Sequence, residues 1–239
     1  KELINRFKLI NELRQYKFKF TIIHDGKKRS KLINFFLTKD ETFVVNNDDI
    51  KNSHFFKIKK IIDLINFKFD ITDLDILVNR STNIKNINNI NSIILHYDEK
   101  WTNSTYISKY EDIEPSEIEL LNFINNIKLK SNHQIIITTG VTTPGILKNV
   151  ISKIKDNKIK LIEGLSFEQL EMIVSQSKLL ISCHGAISHV ASAYNIKQID
   201  IIDVNNQSPY SIWTDHFRNY FPLYRKNFST LSTEISNLL

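Results

Sequence analysis

The sequence predicts an α/β protein whose strands run parallel, and three observations support this. Short apolar runs alternate with segments of helical periodicity along most of the 239 residues. Runs such as 135–137 and 179–181 are apolar without alternation, as expected of strands that helices cover on both faces. Glycine is scarce, and four of the five glycines lie close to the end of an apolar run. Glycine between a strand and a helix is typical of the edge where open α/β sheets bind ligands.

The first half predicts a β-α-β-α arrangement behind an N-terminal helix. Apolar residues recur at helical spacing near the N-terminus, and β-branched and aromatic residues fill the run before Asp25 and Gly26. Residues 70–91 are dense in Asp, Asn, Ser and Thr, which is typical of a linker. The predicted elements are a helix over 2–16, a strand over 18–23, a helix over 31–36, a strand over 43–45 and a helix over 54–67.

The second half predicts a longer alternation, typical of a Rossmann-type domain. Pro115 and the acidic Glu117 suit the first turn of a helix, and Ser166 with Gln169 matches a capping box. Trp213 and residues 220–222 are interpreted as an anchoring segment. The predicted domains are residues 1–78 and 92–239, with a linker over 79–91. The predicted strands are 92–96, 134–138, 159–162, 179–182 and 199–204, and the predicted helices are 115–128, 144–154, 166–175 and 187–194.

Composition argues against several classes of protein. The only cysteine, Cys183, leaves no internal disulfide and is typical of a reducing compartment. No apolar run approaches the ~20 residues of a transmembrane helix, and the N-terminus lacks the apolar core of a signal peptide. We therefore expect the protein in the cytoplasm or at the inner face of the cytoplasmic membrane.

The net charge of +6 has two interpretations: a solvated basic surface, or attraction to phosphate-bearing ligands or an anionic membrane face. There is no basic stripe with interleaved aromatic residues and no zinc-finger spacing, so nucleic acid is not predicted as a partner.

The first candidate for a functional site is a turn that carries two imidazoles and a hydroxyl, Cys183-His184-Gly185-Ala186-Ile187-Ser188-His189. A helix N-terminus offers unpaired N–H groups and a partial positive charge, which together bind phosphate. Gly185 allows close approach of an anion, Ser188 can donate a hydroxyl, and His189 can bond a phosphate oxygen. The alternatives are that Ser188 only caps the helix and that His189 packs against the sheet. No metal is predicted, because the two histidines and Cys183 lack a further ligand.

Other turns are candidates for the same ligand site. Thr139 and Gly140 follow one predicted strand and Gly164 follows another; ordinary turn chemistry is the alternative for each. Lys100 lies in a loop rich in reactive groups and can neutralise a diphosphate, unless that loop is simply a solvated one anchored by Trp101.

The first half contributes a charged turn. Asp25 is followed by cations that include Lys27 and Arg29, and these suit an acceptor that bears carboxylates or phosphates. The alternative is a charged turn that caps a helix.

Together these residues resemble the heptosyltransferase-like family of GT-B glycosyltransferases. In that family a strand leads into a turn of Asp-Thr-Gly-Pro-Met-His type and then a helix, and residues 182–191 occupy the same frame. His189 matches the family histidine, whereas His184 replaces the aspartate. The family turn binds the donor diphosphate, so the resemblance implies that role for Gly185, Ala186 and His189. Looser matches are 161–166, 136–140, the Lys100-Trp101 pair and the turn 25–30.

The resemblance implies a GT-B-like fold of two Rossmann-type domains with parallel sheets, the N-terminal one small or truncated. Family members begin with a further β-α-β unit, which carries an acceptor loop and the general-base aspartate. That unit does not precede Glu2 here. Three explanations remain open: the chain is truncated, the base is supplied otherwise, for instance by Asp25, or the protein is not catalytic. Asp25 and His184 are the candidate catalytic residues.

The expected function is metal-independent transfer of a sugar from a nucleotide-sugar donor to a bacterial surface polysaccharide or lipopolysaccharide acceptor, with no cofactor. Two alternatives belong to other classes: a non-catalytic module that binds a sugar nucleotide or glycan, and a GT-B-like sugar-nucleotide epimerase.

Overall fold

The computed structural model describes residues 2–25, 27–45, 54–68, 91–102, 114–203 and 207–239. The chain divides into two compact units. One consists of Lys1–Ile71 with Ser211–His216, and the other of Thr72–Tyr210 with Phe217–Leu239. The predicted boundaries 1–78, 79–91 and 92–239 stay a prediction, because all of the predicted linker except Asn91 lies outside the described residues, as does Gly26.

The first unit contains a β-α-β arrangement flanked by two helices. Strands β1 and β2 pair in parallel, from Lys17 opposite Thr38 to Ile23 opposite Val44. The prediction for β2 began too late, at residue 43, because the first five residues of this strand are all polar. The elements are α1 (Glu2–Leu13), β1 (Lys17–Ile23), α2 (Lys28–Phe35), β2 (Thr38–Val44) and α3 (His54–Leu64).

The second unit is built on a six-stranded sheet in which every neighbouring pair of strands is parallel. Helix α8 contributes residues to both units. The strands are β3 (Ser92–His96), β4 (Gln134–Thr138), β5 (Ile159–Ile162), β6 (Leu179–Cys183), β7 (Lys197–Ile202) and β8 (Tyr220–Tyr224). The helices are α4 (Glu117–Ser131), α5 (Gly145–Lys153), α6 (Phe167–Ser175), α7 (Ala186–Ala193), α8 (Gln207–Thr214) and α9 (Phe228–Asn237), with a 3₁₀ turn at Glu99–Trp101.

The strand order is β5-β4-β3-β6-β7-β8. Numbered within this unit, that order is 3-2-1-4-5-6, the order of a Rossmann sheet. The chain reverses its direction of travel across the sheet between β3 and β6, which are hydrogen-bonded neighbours. Open α/β sheets bind ligands at this reversal, beyond the carboxyl ends of the two strands. The predicted fold class, α/β with parallel sheets, is confirmed.

Helices cover both faces of this sheet. Because side chains alternate along a strand, Ile93 and Leu95 join a buried cluster with α4, α5 and α9, whereas Ile94 joins a second cluster with α6 and α7. Trp101 is buried in the larger cluster and stacks on Tyr97 with ring centroids 5.0 Å apart. Trp101 therefore anchors the described residues after β3 in the core, as the solvated-loop alternative for this segment also expected.

The last third of the chain contains a strand that was not predicted from the sequence. Residues 220–222, interpreted as an anchoring segment, belong to β8, which pairs with β7 at the edge of the sheet. Pro222 lies opposite Asp200 in this strand. Proline is tolerated at a sheet edge, where its missing N–H breaks no ladder, so this strand lacked the usual sequence signal.

Candidate functional site

Lys100 and Gly185 meet at the reversal point of the sheet. Lys100 lies in the 3₁₀ turn after β3, and Gly185 lies in the turn after β6. A Cβ placed on Gly185 would lie 2.5 Å from Nζ of Lys100. The ammonium therefore sits directly against the backbone of the turn, in space that any side chain at residue 185 would occupy. These are two residues that the sequence analysis assigned to donor binding.

The turn at Gly185 is open to solvent. Ala186 and His189 are exposed, and Gly185 itself is half-buried. The N–H groups of Ala186 and Ile187 open α7 and have no partner inside the helix, because the first N–H groups of any helix lack an intrahelical acceptor. With the ammonium of Lys100 beside them, these groups form an arrangement suited to an anion such as phosphate.

Lys100 is held in place by Asp98. The carboxylate accepts from Nζ of Lys100 at 3.1 Å and from the backbone N–H of the same residue at 3.1 Å. Burial lowers the pKa of Lys100, but the charge and hydrogen bond of Asp98 outweigh it, so the pKa lies above its ordinary value. Lys100 is therefore a fixed positive charge near neutral pH.

Asp98 also faces a buried histidine. Its Oδ2 lies 3.6 Å from Nε2 of His96, while Nδ1 of His96 contacts the hydroxyl of Thr138 at 2.9 Å. Burial lowers the pKa of His96, and the charge of Asp98 only partly opposes this. A neutral His96 therefore lies beside Asp98, the residue that holds Lys100 in place.

On the other side of that turn, Glu99 lies against Gly140. A Cβ on Gly140 would be 2.6 Å from Oε2 of Glu99, so this glycine too leaves room for a charged group from the β3 loop. Thr139 is buried, and its hydroxyl contacts that of Thr143 at 3.2 Å and the Gly140 carbonyl at 3.3 Å. The Thr139 hydroxyl is therefore already bonded within its own turn.

Gly164 has a structural reason to be glycine. Its φ is +65°, and a Cβ there would meet nothing within 4 Å. It follows β5, three strand positions from β6, so its turn starts roughly 14 Å from Gly185. Its role in donor binding stays a prediction.

Ser188 does not point toward a ligand. Its side chain is fully buried, donates to Oδ1 of Asp200 at 2.7 Å and accepts from the Gly185 N–H at 3.3 Å. Because the protein itself occupies this hydroxyl, we remove Ser188 from the donor-binding set and describe it as the residue that holds the Gly185 turn.

His184 is bound to the same carboxylate. Its Nδ1 lies 2.5 Å from Oδ2 of Asp200, and its ring packs edge-on against Tyr210 at 4.8 Å and His189 at 5.5 Å between ring centroids. Asp200 was not predicted as a site residue. A signal was present, since a charged residue inside the otherwise apolar run 199–202 must have buried partners.

Arg225 contacts both the Lys100 turn after β3 and the end of β6 at Cys183. It is 7% exposed, and its Nη2 donates to the carbonyl of Lys100 at 2.7 Å and lies 2.7 Å from Sγ of Cys183. Burial raises the pKa of Cys183 to about 12, which makes the thiol unreactive. Arg225 had no sequence signal, because it follows the strand that the analysis missed.

In the first unit, Asp25 closes the turn before α2. Its carboxylate accepts from the Ser30 hydroxyl at 2.8 Å and from the Lys27 N–H at 3.1 Å. The Ser30 bond, followed by the Lys27 bond, holds the pKa of Asp25 below its ordinary value, which disfavours it as a general base. Lys27 and Arg29 are exposed. A pocket of about 380 Å³ between β1 and α2 includes Asp25 and Ser30 in its lining.

Two kinds of feature are absent from the residues that the structure describes. No group of three His, Cys, Asp or Glu side chains there is arranged to hold a metal ion. No helix there is both long and apolar enough to cross a bilayer.

No protein-family model and no curated protein sequence matches this chain. Solved structures do match it in shape. The Escherichia coli heptosyltransferase WaaC with ADP has a TM-score of 0.66 at 12% identity, covering 98% of this chain and 76% of its own. A glycosyl transferase family 9 protein from Veillonella parvula DSM 2008 has a TM-score of 0.67 at 9% identity, with 98% and 76% coverage. The chain has a GT-B-like fold.

A UDP-GlcNAc 2-epimerase from Methanocaldococcus jannaschii is also similar, with a TM-score of 0.54 at 13% identity, covering 97% of this chain and 73% of its own. The predicted remote resemblance to heptosyltransferases is thus confirmed at the level of the GT-B-like fold, which the chain shares with sugar-nucleotide epimerases.

Proposed function

We propose that this protein is a glycosyltransferase that moves a sugar from a nucleotide-sugar donor to a bacterial surface polysaccharide or lipopolysaccharide acceptor. The observation that carries the proposal is the ammonium of Lys100 against Gly185, at the exposed N-terminus of α7 and the reversal point of the sheet. The fold is that of heptosyltransferases, one of which is in complex with ADP, and a nucleoside diphosphate suits this arrangement of donors.

In the proposed reaction, negative charge develops on the leaving diphosphate, next to these groups. An acceptor oxygen bonds to the anomeric carbon as the bond from that carbon to the diphosphate oxygen breaks, so the nucleoside diphosphate leaves with the electron pair. Lys100 and the N–H groups of Ala186 and Ile187 are oriented before the reaction begins, and such fixed donors stabilise developing negative charge. We therefore propose that these groups, and not a metal ion, neutralise the leaving group.

The acceptor hydroxyl must lose a proton to a base. Asp25 and His184 were the two candidates from the sequence. Hydrogen bonds from Ser30 and Lys27 lower the pKa of Asp25, which weakens it as a base, and both Asp25 and His184 stay proposed catalytic residues. The exposed cations Lys27 and Arg29 are proposed to bind an anionic acceptor.

The test is a panel of ADP-, UDP-, GDP- and CMP-sugars. We expect one nucleotide class to raise the melting temperature, and we expect that donor to release free nucleotide when lipopolysaccharide is added. Lys100→Met should abolish most of the thermal shift, whereas the exposed Lys148→Met should keep it. If no donor shifts the melting temperature of the wild type, the proposal fails.

The epimerase alternative is supported by the similarity to UDP-GlcNAc 2-epimerases. The same panel distinguishes an epimerase from a glycosyltransferase. An epimerase changes the sugar of a UDP-sugar without any acceptor, and NMR of the donor detects this change. Binding of a donor with neither outcome would favour the non-catalytic module.

A further inference from the structure

Helix α2 presents large apolar side chains to solvent. Leu32 is 58% exposed, Phe35 is 77% exposed, and Phe36, which directly follows the helix, is 41% exposed. The two phenylalanine rings contact each other edge-on, with centroids 5.3 Å apart. Single exposed apolar residues are common on proteins, whereas a contiguous group of them marks an interaction site.

Helical spacing gives α2 two faces. The inner face lines the pocket against β1 and consists of Ser30, Ile33, Asn34 and Leu37. The outer face is exposed and consists of Lys28, Lys31, Leu32, Phe35 and Phe36. Within each set the residues are three or four positions apart, so they lie together on the helix surface. We call the second set the α2 outer face.

The α2 outer face combines apolar side chains with cations. Lys28 and Lys31 belong to it, and the exposed Lys27 and Arg29 are their neighbours in the sequence. The chain has no acidic residue from 26 to 38. Lysine and arginine beside phenylalanine and leucine are typical of helices that lie in the plane of a membrane surface. In such helices the apolar side chains enter the boundary of the acyl chains and the cations remain at the headgroups.

The net charge of the protein belongs to the unit that carries this face. Lys1–Ile71 with Ser211–His216 contain 16 lysines and arginines against 10 aspartates and glutamates, whereas the rest of the chain contains 16 of each kind. The whole net charge of +6 is therefore in the first unit. A unit with this excess is attracted to an anionic surface, and the apolar group on α2 gives it a side chain set that can enter a bilayer.

A second copy of this chain suits the α2 outer face less well. In a two-fold symmetric dimer, the same patch of both subunits forms the contact. Lys28 and Lys31 would then lie opposite the same cations, and the α2 outer face has no carboxylate to pair with them. The charge of the face thus favours an anionic partner.

We propose that the α2 outer face docks the protein on a bilayer that contains anionic phospholipids. Leu32, Phe35 and Phe36 enter the boundary between headgroups and acyl chains. Lys28 and Lys31 bind the phosphates of the headgroups. The docking does not depend on the proposed function, but for a glycolipid acceptor it would hold the protein on the surface that carries its substrate.

The first experiment is sedimentation of the protein with lipid vesicles. We expect binding to vesicles of equal parts phosphatidylcholine and phosphatidylglycerol, and little binding to phosphatidylcholine alone. Added salt should weaken the binding, because it screens the cations. A wild type that does not bind the anionic vesicles at low salt overturns the proposal, and so does equal binding to both kinds of vesicle.

Variants locate the binding on the helix. Phe35→Ser should lower the partition onto anionic vesicles about tenfold or more, because it removes a ring that the bilayer would bury. Lys28→Gln combined with Lys31→Gln should lower it about 25-fold, since each cation near an anionic surface strengthens binding about fivefold. Phe35 and both lysines are exposed, so these variants should keep the wild-type melting temperature.

Matched controls come from the second unit. Leu129 is 78% exposed, close to the 77% of Phe35, and Lys148 and Lys155 are exposed. Leu129→Ser should bind vesicles as the wild type does, and so should Lys148→Gln combined with Lys155→Gln. If these controls lose as much binding as the α2 variants, the bilayer is not bound by this face and the proposal fails.

Fluorescence tests whether the side chain at residue 35 enters the bilayer. Phe35→Trp keeps a large apolar ring there and adds one indole to those of Trp101, which is buried, and Trp213. With phosphatidylglycerol vesicles that carry bromine on their acyl chains, we expect stronger quenching of this variant than of the wild type. Equal quenching would show that the ring stays outside the acyl chains, against the proposal.

Two further outcomes would assign the face to another occupant. A wild type that ignores anionic vesicles and forms a dimer, which Phe35→Ser dissociates in sedimentation velocity, would assign it to a second copy. Binding of single-stranded RNA without binding of vesicles would assign it to a nucleic acid. Either result overturns the proposal. All of these measurements are made without donor or acceptor, so a negative glycosyltransferase assay does not affect them.

Discussion

The ammonium of Lys100 occupies the space that a side chain on residue 185 would need. A Cβ on Gly185 would lie 2.5 Å from Nζ, and beyond the two chain neighbours of Gly185 the nearest atom outside the Lys100 side chain, the Cys183 carbonyl oxygen, would be 3.9 Å away. The φ of Gly185 is −179°, an extended conformation that any residue adopts. Glycine is needed here because any Cβ would displace the Lys100 ammonium, and not because the backbone conformation requires it.

Gly185→Ala should therefore weaken donor binding without unfolding the protein. The methyl group displaces the flexible end of Lys100, which costs little stability but moves the charge away from the anion site. Loss of one charged hydrogen bond predicts a rise in Kd of about tenfold to a hundredfold. Isothermal titration calorimetry with the nucleotide found in the donor panel measures this change.

Gly145→Ala is the matched control, because a Cβ there meets nothing within 4 Å and the residue is exposed. We expect its affinity to equal that of the wild type. If Gly185→Ala binds the nucleotide as well as Gly145→Ala does, Lys100 is not a phosphate ligand.

His189→Ala should reduce donor affinity sharply while leaving the melting temperature nearly unchanged. His189 is exposed on the first turn of α7, and its ring contacts Phe217 with centroids 5.1 Å apart. Removing an exposed ring costs little stability, but it takes away a donor near the proposed phosphate site. Thermal unfolding and calorimetry on the same sample separate the two effects.

His133→Ala serves as the comparison, since His133 directly precedes β4 and so lies at the opposite, amino-terminal edge of the sheet. Equal affinities for the two variants would show that His189 packs against its neighbours and binds nothing.

Local sequence was sufficient to predict the bounds of three strands of the second unit. The predicted bounds 92–96, 134–138 and 159–162 are those observed, because each run ends at residues that favour turns. The capping box of Ser166 and Gln169 is also present, with both reciprocal hydrogen bonds formed. These features depend on neighbours in the sequence, so one chain is enough to predict them.

Features that depend on distant residues could not be predicted in this way. The charge of Asp200 is tolerated because partners at 184, 188 and 220 converge on it, and no local pattern reveals that convergence. Strand order also depends on residues that are distant in the sequence. It brings Lys100 next to Gly185, although the two are far apart in the chain. The sequence predicted both residues for donor binding, and the fold places them side by side.

Arg225→Met should loosen the two loops that form the proposed site. The guanidinium holds the Lys100 carbonyl and contacts the Cys183 thiol, so its loss removes hydrogen bonds worth about 1–3 kcal/mol. Part of this is offset because the variant no longer buries a cation. We therefore expect a modest fall in melting temperature and a clear rise in the Kd of the nucleotide.

Arg14→Met, which removes an exposed arginine from the first unit, should change neither quantity. An Arg225→Met protein with unaltered nucleotide affinity would mean that the Lys100 loop holds its position without this contact.

Finally, the stability of the protein should fall as the pH drops below neutrality, and His96 should account for part of the loss. Burial lowers the pKa of His96 in the folded state below its ordinary value of 6.5. As the pH falls through 6.5, the unfolded chain gains a proton that the folded chain resists, so the free energy of unfolding decreases until the folded pKa is reached. Above 6.5 both states are neutral at this residue, and it contributes no pH dependence.

His96→Gln can keep a hydrogen bond to Thr138 but cannot titrate. In urea unfolding at several pH values, its free energy of unfolding should therefore fall less steeply with decreasing pH than that of the wild type. Parallel curves for His96→Gln and the wild type would contradict the prediction, because they would show that His96 takes up its proton over the same pH range in the folded and unfolded states.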